Sequence, residues 1–182
     1  DVKLTQKLVG HSDGVTSVRF NANGQKLLSC SFDKTAIIWD LDTGMPIQHL
    51  KGHAWWVWSA EFSPDNQRIV TAGQDGKAIV WQKLNDDGRY GILTEFLKHR
   101  GSINAARFAP DGKLVATGGG DVRVLLWNPD EVLPVDIARR MDGLSDPPAP
   151  FRELAGHQKP VNALEFSPDG SQLASGGEDN VV

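Results

Sequence analysis

The stretch Gly10–Asp40, GHSDGVTSVRFNANGQKLLSCSFDKTAIIWD, decides the reading of the whole chain, because its pattern returns three more times. A histidine opens each copy: His11, His53, His99 and His157. A β-branched residue follows it by four positions (Val15, Val57, Ile103, Val161) and a phenylalanine by nine (Phe20, Phe62, Phe108, Phe166). A hydroxyl residue lies 18 positions after it (Ser29, Thr71, Thr117, Ser175) and an aspartate 22 after it (Asp33, Asp75, Asp121, Asp179). In the first three copies a tryptophan lies 28 after it (Trp39, Trp81, Trp127), whereas the sequence stops at Val182, short of that place in the fourth. Self-similarity at fixed offsets is the signature of a repeat architecture.

Each copy also carries the punctuation of a small antiparallel sheet. After each phenylalanine comes a turn signal, Asn21-Ala22-Asn23-Gly24, Ser63-Pro64-Asp65-Asn66, Ala109-Pro110-Asp111-Gly112 or Ser167-Pro168-Asp169-Gly170, whose residue types suit tight-turn dihedrals. Short apolar runs follow, Lys26–Ser29, Arg68–Thr71, Lys113–Thr117 and Gln172–Ser175, then a second turn and a third run such as Ala36-Ile37-Ile38-Trp39. Runs of this length between turn clusters are strands, so the expected fold class is all-β.

Composition agrees. The 182 residues are 40% hydrophobic and 23% charged, an ordinary globular balance, and six Trp with 19 Gly and 10 Pro fit a sheet protein rich in turns. A net charge of −4 argues against a general phosphate-binding surface, which needs clustered Lys and Arg. One cysteine, Cys30, cannot form an internal disulfide and no N-x-[ST] acceptor is present, so a cytoplasmic setting is expected. No apolar run approaches the ~20 residues of a membrane-spanning helix.

The spaced His, Ser/Thr, Asp and Trp, together with Gly10-His11, Gly52-His53, Gly156-His157 and Trp39-Asp40, resemble the WD40 repeat family. Lys98-His99, Trp81-Gln82 and Trp127-Asn128 depart from its Gly-His and Trp-Asp pairs. The resemblance implies a β-propeller of about four antiparallel four-stranded blades, the last incomplete, in repeats near 4–40, 46–82, 92–128 and 150–182. It also implies buried tetrads: His11/Ser29/Asp33/Trp39, His53/Thr71/Asp75/Trp81, His99/Thr117/Asp121/Trp127 and, without its Trp, His157/Ser175/Asp179. In each, the carboxylate accepts from the imidazole and turn amides while the hydroxyl links imidazole to indole. Both ends cut the repeat near the same phase, with an outer strand around Leu4 to Val9. The chain is therefore expected to be part of a larger propeller, its missing blades supplied by the rest of the chain or by self-association. A four-bladed ring closed by the Leu4–Val9 strand is the alternative.

Successive histidines stand 42, 46 and 58 residues apart, and all the excess lies between a Trp and the next His. The first linker centres on Asn85–Tyr90. The second is an inserted loop, 129–150, in which Glu131 to Met141 could hold a helical turn and which reads as a surface excursion.

Sharper readings of these residues fare worse. Repetition of His, Ser/Thr and Asp in every blade makes architecture of what could pass for a hydrolase triad, and it holds the histidines too far apart for a metal site. Gly118-Gly119-Gly120 lacks the Lys-Ser/Thr of a phosphate loop and reads as a strand end. Cys30 reads as a small packed residue. No catalytic residue, metal or cofactor is expected.

Ala54-Trp55-Trp56-Val57-Trp58 is the exception to the pattern. Other blades place small or polar residues in this loop, Ser12-Asp13-Gly14, Arg100-Gly101-Ser102 and Gln158-Lys159-Pro160, so core packing does not ask for tryptophan. Trp55, Trp56 and Trp58 are the partner-binding candidates, with packing against a neighbouring blade as the competing reading. The expected function is a non-enzymatic protein–protein interaction scaffold whose partners are other proteins or peptides. The alternative, implied by resembling bacterial arrays, is a sensory or substrate-docking propeller of a multidomain enzyme such as a Ser/Thr protein kinase. A nucleic-acid-binding propeller is disfavoured by charge.

Overall fold

The computed structural model describes residues 6–85, 87–132 and 151–182. Within them the chain is all-β, with fourteen strands and no helix. The first sheet, blade 1, joins β1 (Val15–Phe20), β2 (Lys26–Ser31), β3 (Thr35–Asp40) and β4 (Pro46–Lys51). Blade 2 joins β5 (Val57–Phe62), β6 (Arg68–Gly73), β7 (Ala78–Lys83) and β8 (Tyr90–Phe96). Blade 3 joins β9 (Ile103–Phe108), β10 (Val115–Gly119), β11 (Val124–Trp127) and β12 (Phe151–Leu154), and blade 4 pairs β13 (Val161–Phe166) with β14 (Leu173–Gly177). Every pairing is antiparallel between neighbours in sequence, so each blade is a meander.

The turns explain the meander. Between the first two strands of each blade, Gly24, Asn66, Gly112 and Gly170 all take φ between 58 and 73°, and each closes its turn with a bond to the carbonyl three residues back. Glycine and asparagine tolerate this left-handed conformation. The next turn repeats the device at Lys34, Gly76, Val122 and Asn180. Val122, at φ 62°, is the β-branched member of that set, and a branched Cβ in this region is strained by ~1–2 kcal/mol. Val122→Asn, the residue blade 4 uses, should therefore raise stability by about 1 kcal/mol. An unchanged or lower urea midpoint would show that the strain is relieved elsewhere.

The core lies between blades. Leu28, Cys30, Ala36, Ile38 and Leu50 of blade 1 bury against Val57, Ala60, Phe62, Ile79 and Trp81 of blade 2. Blade 2 meets blade 3 through Val70, Val80 and Phe96 against Ile103, Phe108, Leu125 and Trp127. Ala105, Ala116 and Val124 then meet Val161 and Leu164 of blade 4. At Gly10 and Gly52 the backbone approaches the core closely: a Cβ would lie 2.7 Å from Trp39, or 2.9 Å from Ile79 beside Trp81, so the neighbouring side chain would have to shift.

One expectation from the sequence changes here, and of the two propeller readings the closed four-bladed ring drops out. No strand forms over residues 6–9, the described part of the expected Leu4–Val9 strand, and no strand of the four sheets pairs with them. The arc also does not close on itself, because β1 keeps its apolar face open to solvent. The linker Asn85–Tyr90 ends in a structural residue: Tyr90 is buried, its hydroxyl donates to Asn66 O at 2.8 Å, and its backbone exchanges two bonds with the Gln48 amide of blade 1. Of the loop 129–150, only residues up to 132 are described. They hold a turn from which Asp130 reaches Arg68 at 2.6 Å, and the expected helical turn lies almost wholly outside the described residues.

Candidate functional site

The repeated polar residues meet at one end of the blades. His11, His53, His99 and His157 bring Nδ1 within 2.7 to 3.0 Å of Asp33, Asp75, Asp121 and Asp179. Their Nε2 atoms lie 2.7 to 2.9 Å from Ser29, Thr71, Thr117 and Ser175. Trp39, Trp81 and Trp127 donate Nε1–H to Ser29, Thr71 and Thr117 at 2.8, 3.0 and 3.3 Å. The indole can only donate, so in blades 1 to 3 the hydroxyl accepts from it, while the carboxylate can only accept and so takes the Nδ1–H. At His99 burial pushes the pKa down against the pull of Asp121.

Each aspartate does more than hold its histidine. One oxygen accepts the amide after the His (Ser12, Ala54, Arg100, Gln158). The other side of the carboxylate accepts an amide two residues on (Thr35, Lys77, Arg123, Val181). The loop entering the inner strand and the second turn of the blade are therefore fixed to one carboxylate. Burial raises the Asp33 carboxyl, but bonds from Thr35, His11 and the Ser12 amide outweigh it and hold the pKa at about 2. Asp75 and Asp121 are likewise lowered against burial, and Asp179 is lowered chiefly by the Gln158 amide. Carboxyls depressed in the folded state contribute stability above their unfolded pKa near ~4, and that stability is lost as pH falls towards about 2. The urea midpoint should accordingly drop between pH 4 and pH 2, and Asp33→Asn should flatten the drop. A profile unaffected by that substitution would contradict the linkage.

The geometry of these groups is that of a frame. Ser29, Thr71 and Thr117 are each held between an indole and an imidazole and Ser175 by its imidazole, and each set sits under a loop instead of in a cleft. Cys30, buried between blades 1 and 2, has its thiol pushed up to about 11 by burial, far from a reactive thiolate. Gly118 and Gly119 belong to β10, and Gly119 lies so close to the Ser102 carbonyl that a side chain has no room.

The tryptophan loop sits on the same end of the molecule. Trp55 is 57% and Trp56 42% exposed. Lys34 places its ammonium 5.2 Å from the ring centroid of Trp55. Trp56 packs on Phe32 of blade 1 at 4.9 Å and meets Trp58 edge-on at 5.8 Å, and Phe32 meets Trp58 edge-on at 5.5 Å. Trp58 is half-buried and donates Nε1–H to Gln74 at 3.0 Å. Trp56 and Trp58 are thus joined with Phe32 into one aromatic cluster across the junction of blades 1 and 2, anchored by the backbone N–H of Gln74 on the Trp56 carbonyl at 2.8 Å, while Trp55 stands beside it under the Lys34 ammonium. Phe32 and Lys34 were not among the expected residues. The signal was there, since Gln74, Gly120 and Glu178 occupy the place of Phe32 in the other blades.

Antiparallel meander blades packed face to face and locked by a His–Asp–hydroxyl–Trp set define a β-propeller repeat protein. The family model for the WD domain, G-beta repeat, matches residues 2–40, 44–82, 91–128 and 149–182. The chain belongs to the WD40 repeat family. It is similar to the vegetative incompatibility protein HET-E-1 of Podospora anserina, 52% identical over 40 residues, which is 22% of this chain and 3% of that protein. It is also similar to the WD repeat-containing protein 89 homolog of Dictyostelium discoideum, 51% identical over 37 residues, 20% of this chain and 10% of that protein. The matched stretches are therefore single repeats, and they span a small part of both relatives.

Proposed function

We propose that this chain is a non-enzymatic scaffold that holds another protein against the aromatic surface formed by Trp55, Trp56, Trp58 and Phe32. WD40 repeats are typical of protein-interaction scaffolds, and the observation that carries the finer reading is the exposure of Trp55 and Trp56 in a loop that is otherwise small and polar. Large stiff aromatic side chains with indole donors dominate binding hot spots because they bury much area at little entropic cost. The rings of Phe32, Trp56 and Trp58 touch one another, with centroids 4.9 to 5.8 Å apart, so the partner lies over the cluster instead of inserting into it. The loop behind the cluster is already fixed to Asp75, so little ordering entropy opposes docking.

A photo-crosslinking residue placed at Trp55, and in a second protein at Asn23 in a turn at the opposite end of the blades, tests the site. Adducts to a partner from position 55 and none from position 23 are expected. Adducts from both positions alike, or from position 23 alone, would move the binding surface elsewhere.

A further inference from the structure

The two ends of the blades differ in charge. At the end that carries the tryptophan loop, the connections over residues 10–14, 32–34, 52–56, 74–77, 97–102, 120–123, 155–160 and 178–182 hold the bases Lys34, Lys77, Lys98, Arg100, Arg123 and Lys159. Outside the tetrads their acids are Asp13 and Glu178, and the tetrad carboxylates are 9% exposed or less, so they show a partner little charge. At the opposite end the described connections, 21–25, 41–45, 63–67, 84–85, 87–89, 109–114, 128–132 and 167–172, reverse the balance, with seven Asp and Glu against Arg89 and Lys113. The chain is net acidic at −4, yet its aromatic surface lies on the basic end.

Two of those cations stand at the edges of the cluster. Lys34, exposed on blade 1, holds its ammonium 5.2 Å from the Trp55 ring centroid. Arg100, exposed on blade 3, follows His99 in a loop that packs on the blade 2 turn, where the Gly101 carbonyl lies 3.0 Å from the place of a Cβ on Gly76. That turn includes Gln74, whose side chain takes the Trp58 indole N–H and whose backbone N–H holds the Trp56 carbonyl. Cations from both neighbouring blades therefore bracket the cluster. Lys77 and Arg123, by contrast, are paired with Glu95 and Glu153 at 3.5 and 2.6 Å. Asp13, the acid on the blade 1 side, accepts the Gly14 amide at 2.7 Å.

We propose that the partner segment held by this face is an acidic peptide, with an apolar side chain over Trp56 and Phe32 and flanking Asp or Glu carboxylates on Lys34 and Arg100. The proposal rests on the aromatic surface being the docking site and adds the chemistry of its occupant. Charge complementarity selects that occupant, because cations at the rim of an apolar patch speed the approach of a carboxylate and penalise a basic segment. Lys34 is already held over an indole, so pairing it with a carboxylate costs little further side-chain ordering. A nucleic-acid strand fits less well. Phe32, Trp56 and Trp58 meet at 50 to 90° and form no parallel platform for bases, and the acidic far end repels a long polyanion.

Selection from a random dodecapeptide display library on the 182-residue chain, repeated on its variants, tests the proposal. Peptides enriched on the unaltered chain should combine an aromatic or aliphatic residue with several Asp or Glu. Lys34→Glu with Arg100→Glu should keep the apolar preference and lose the acidic one, whereas Trp55→Ala with Trp56→Ala should lose both. Lys113→Glu, at the opposite end, should change neither. An enriched acidic peptide, titrated by fluorescence polarisation, should bind the Lys34→Glu, Arg100→Glu chain at least about tenfold more weakly, and its affinity for the unaltered chain should fall between about 50 and about 500 mM salt. Enriched apolar peptides without acidic residues would overturn the acidic partner and leave the aromatic surface standing. Peptides that the double tryptophan variant selects equally well would overturn both. An absence of enrichment, or displacement of the peptide by single-stranded RNA at equal concentration, would also overturn the proposal.

Discussion

Trp127→Ala should cost about 3–5 kcal/mol, the range for removing a buried large aromatic side chain, while Trp55→Ala should cost less than about 0.5 kcal/mol. The six tryptophans of this chain are of two kinds. Trp127 is 1% exposed, stacks on Phe96 of blade 2 with centroids 4.4 Å apart and planes 2° off parallel, and caps Thr117 with its indole N–H. Truncation opens a void between blades 2 and 3, strips that hydroxyl of its donor and loosens the packing of Leu125 and Phe108. Trp55 has water on most of its surface and touches the Lys34 ammonium. Urea unfolding of the two variants separates the cases. Losses of similar size would mean that the loop tryptophan packs as part of the frame.

Asp75→Ala should cost on the order of 3 kcal/mol, the upper end for stranding buried hydrogen-bonding groups. The carboxylate accepts His53 Nδ1–H, the Ala54 amide at 2.8 Å and the Lys77 amide at 3.2 Å, with its side chain 5% exposed. Without it the imidazole loses the group that orients it, and two backbone amides lose their acceptor where water has little access. Asp65 also caps a turn, bonding Ser63 Oγ and the Gln67 amide, but it is exposed and water replaces what Asp65→Ala removes. That variant should lose about 1 kcal/mol or less. Asp75→Asn should recover part of the loss by keeping an amide oxygen in place. Equal midpoints for Asp75→Ala and Asp65→Ala would contradict the role given to Asp75.

The frame was legible because it is written in offsets. Four turns, the strand runs and the His, hydroxyl, Asp and Trp positions recur at the same distances, and the side chains that recur are the ones that meet. What recurs less is harder to read from a single chain. Phe32 lies 24 residues from Trp56 and joins the aromatic cluster only because blade 1 stands beside blade 2. Arg19, Glu61, Arg107 and Glu165 also sit at one offset, yet their alternation in charge becomes an interaction only because neighbouring inner strands face each other, with Arg107 4.0 Å from Glu61. The expected Leu4–Val9 strand is not formed over residues 6–9, its described part, and strand propensity alone does not supply the partner edge that a strand needs. The exposure of Trp55 and the half-burial of Trp58 also depend on the neighbouring blade, which is why patch and packing stood open together.

The claim that function resides in a surface separable from the frame is tested most directly by Trp55→Ala combined with Trp56→Ala. One preparation should be measured for thermal midpoint and, in parallel, for capture of the partners that the unaltered chain retains. Partner capture should fall at least about tenfold, as for a lost hot spot of ~1.4 kcal/mol or more. The midpoint should move by no more than about 2–4 °C, equivalent to ~1 kcal/mol in a chain of this size. A collapse of the midpoint with partners still bound would contradict the account and assign both tryptophans to packing.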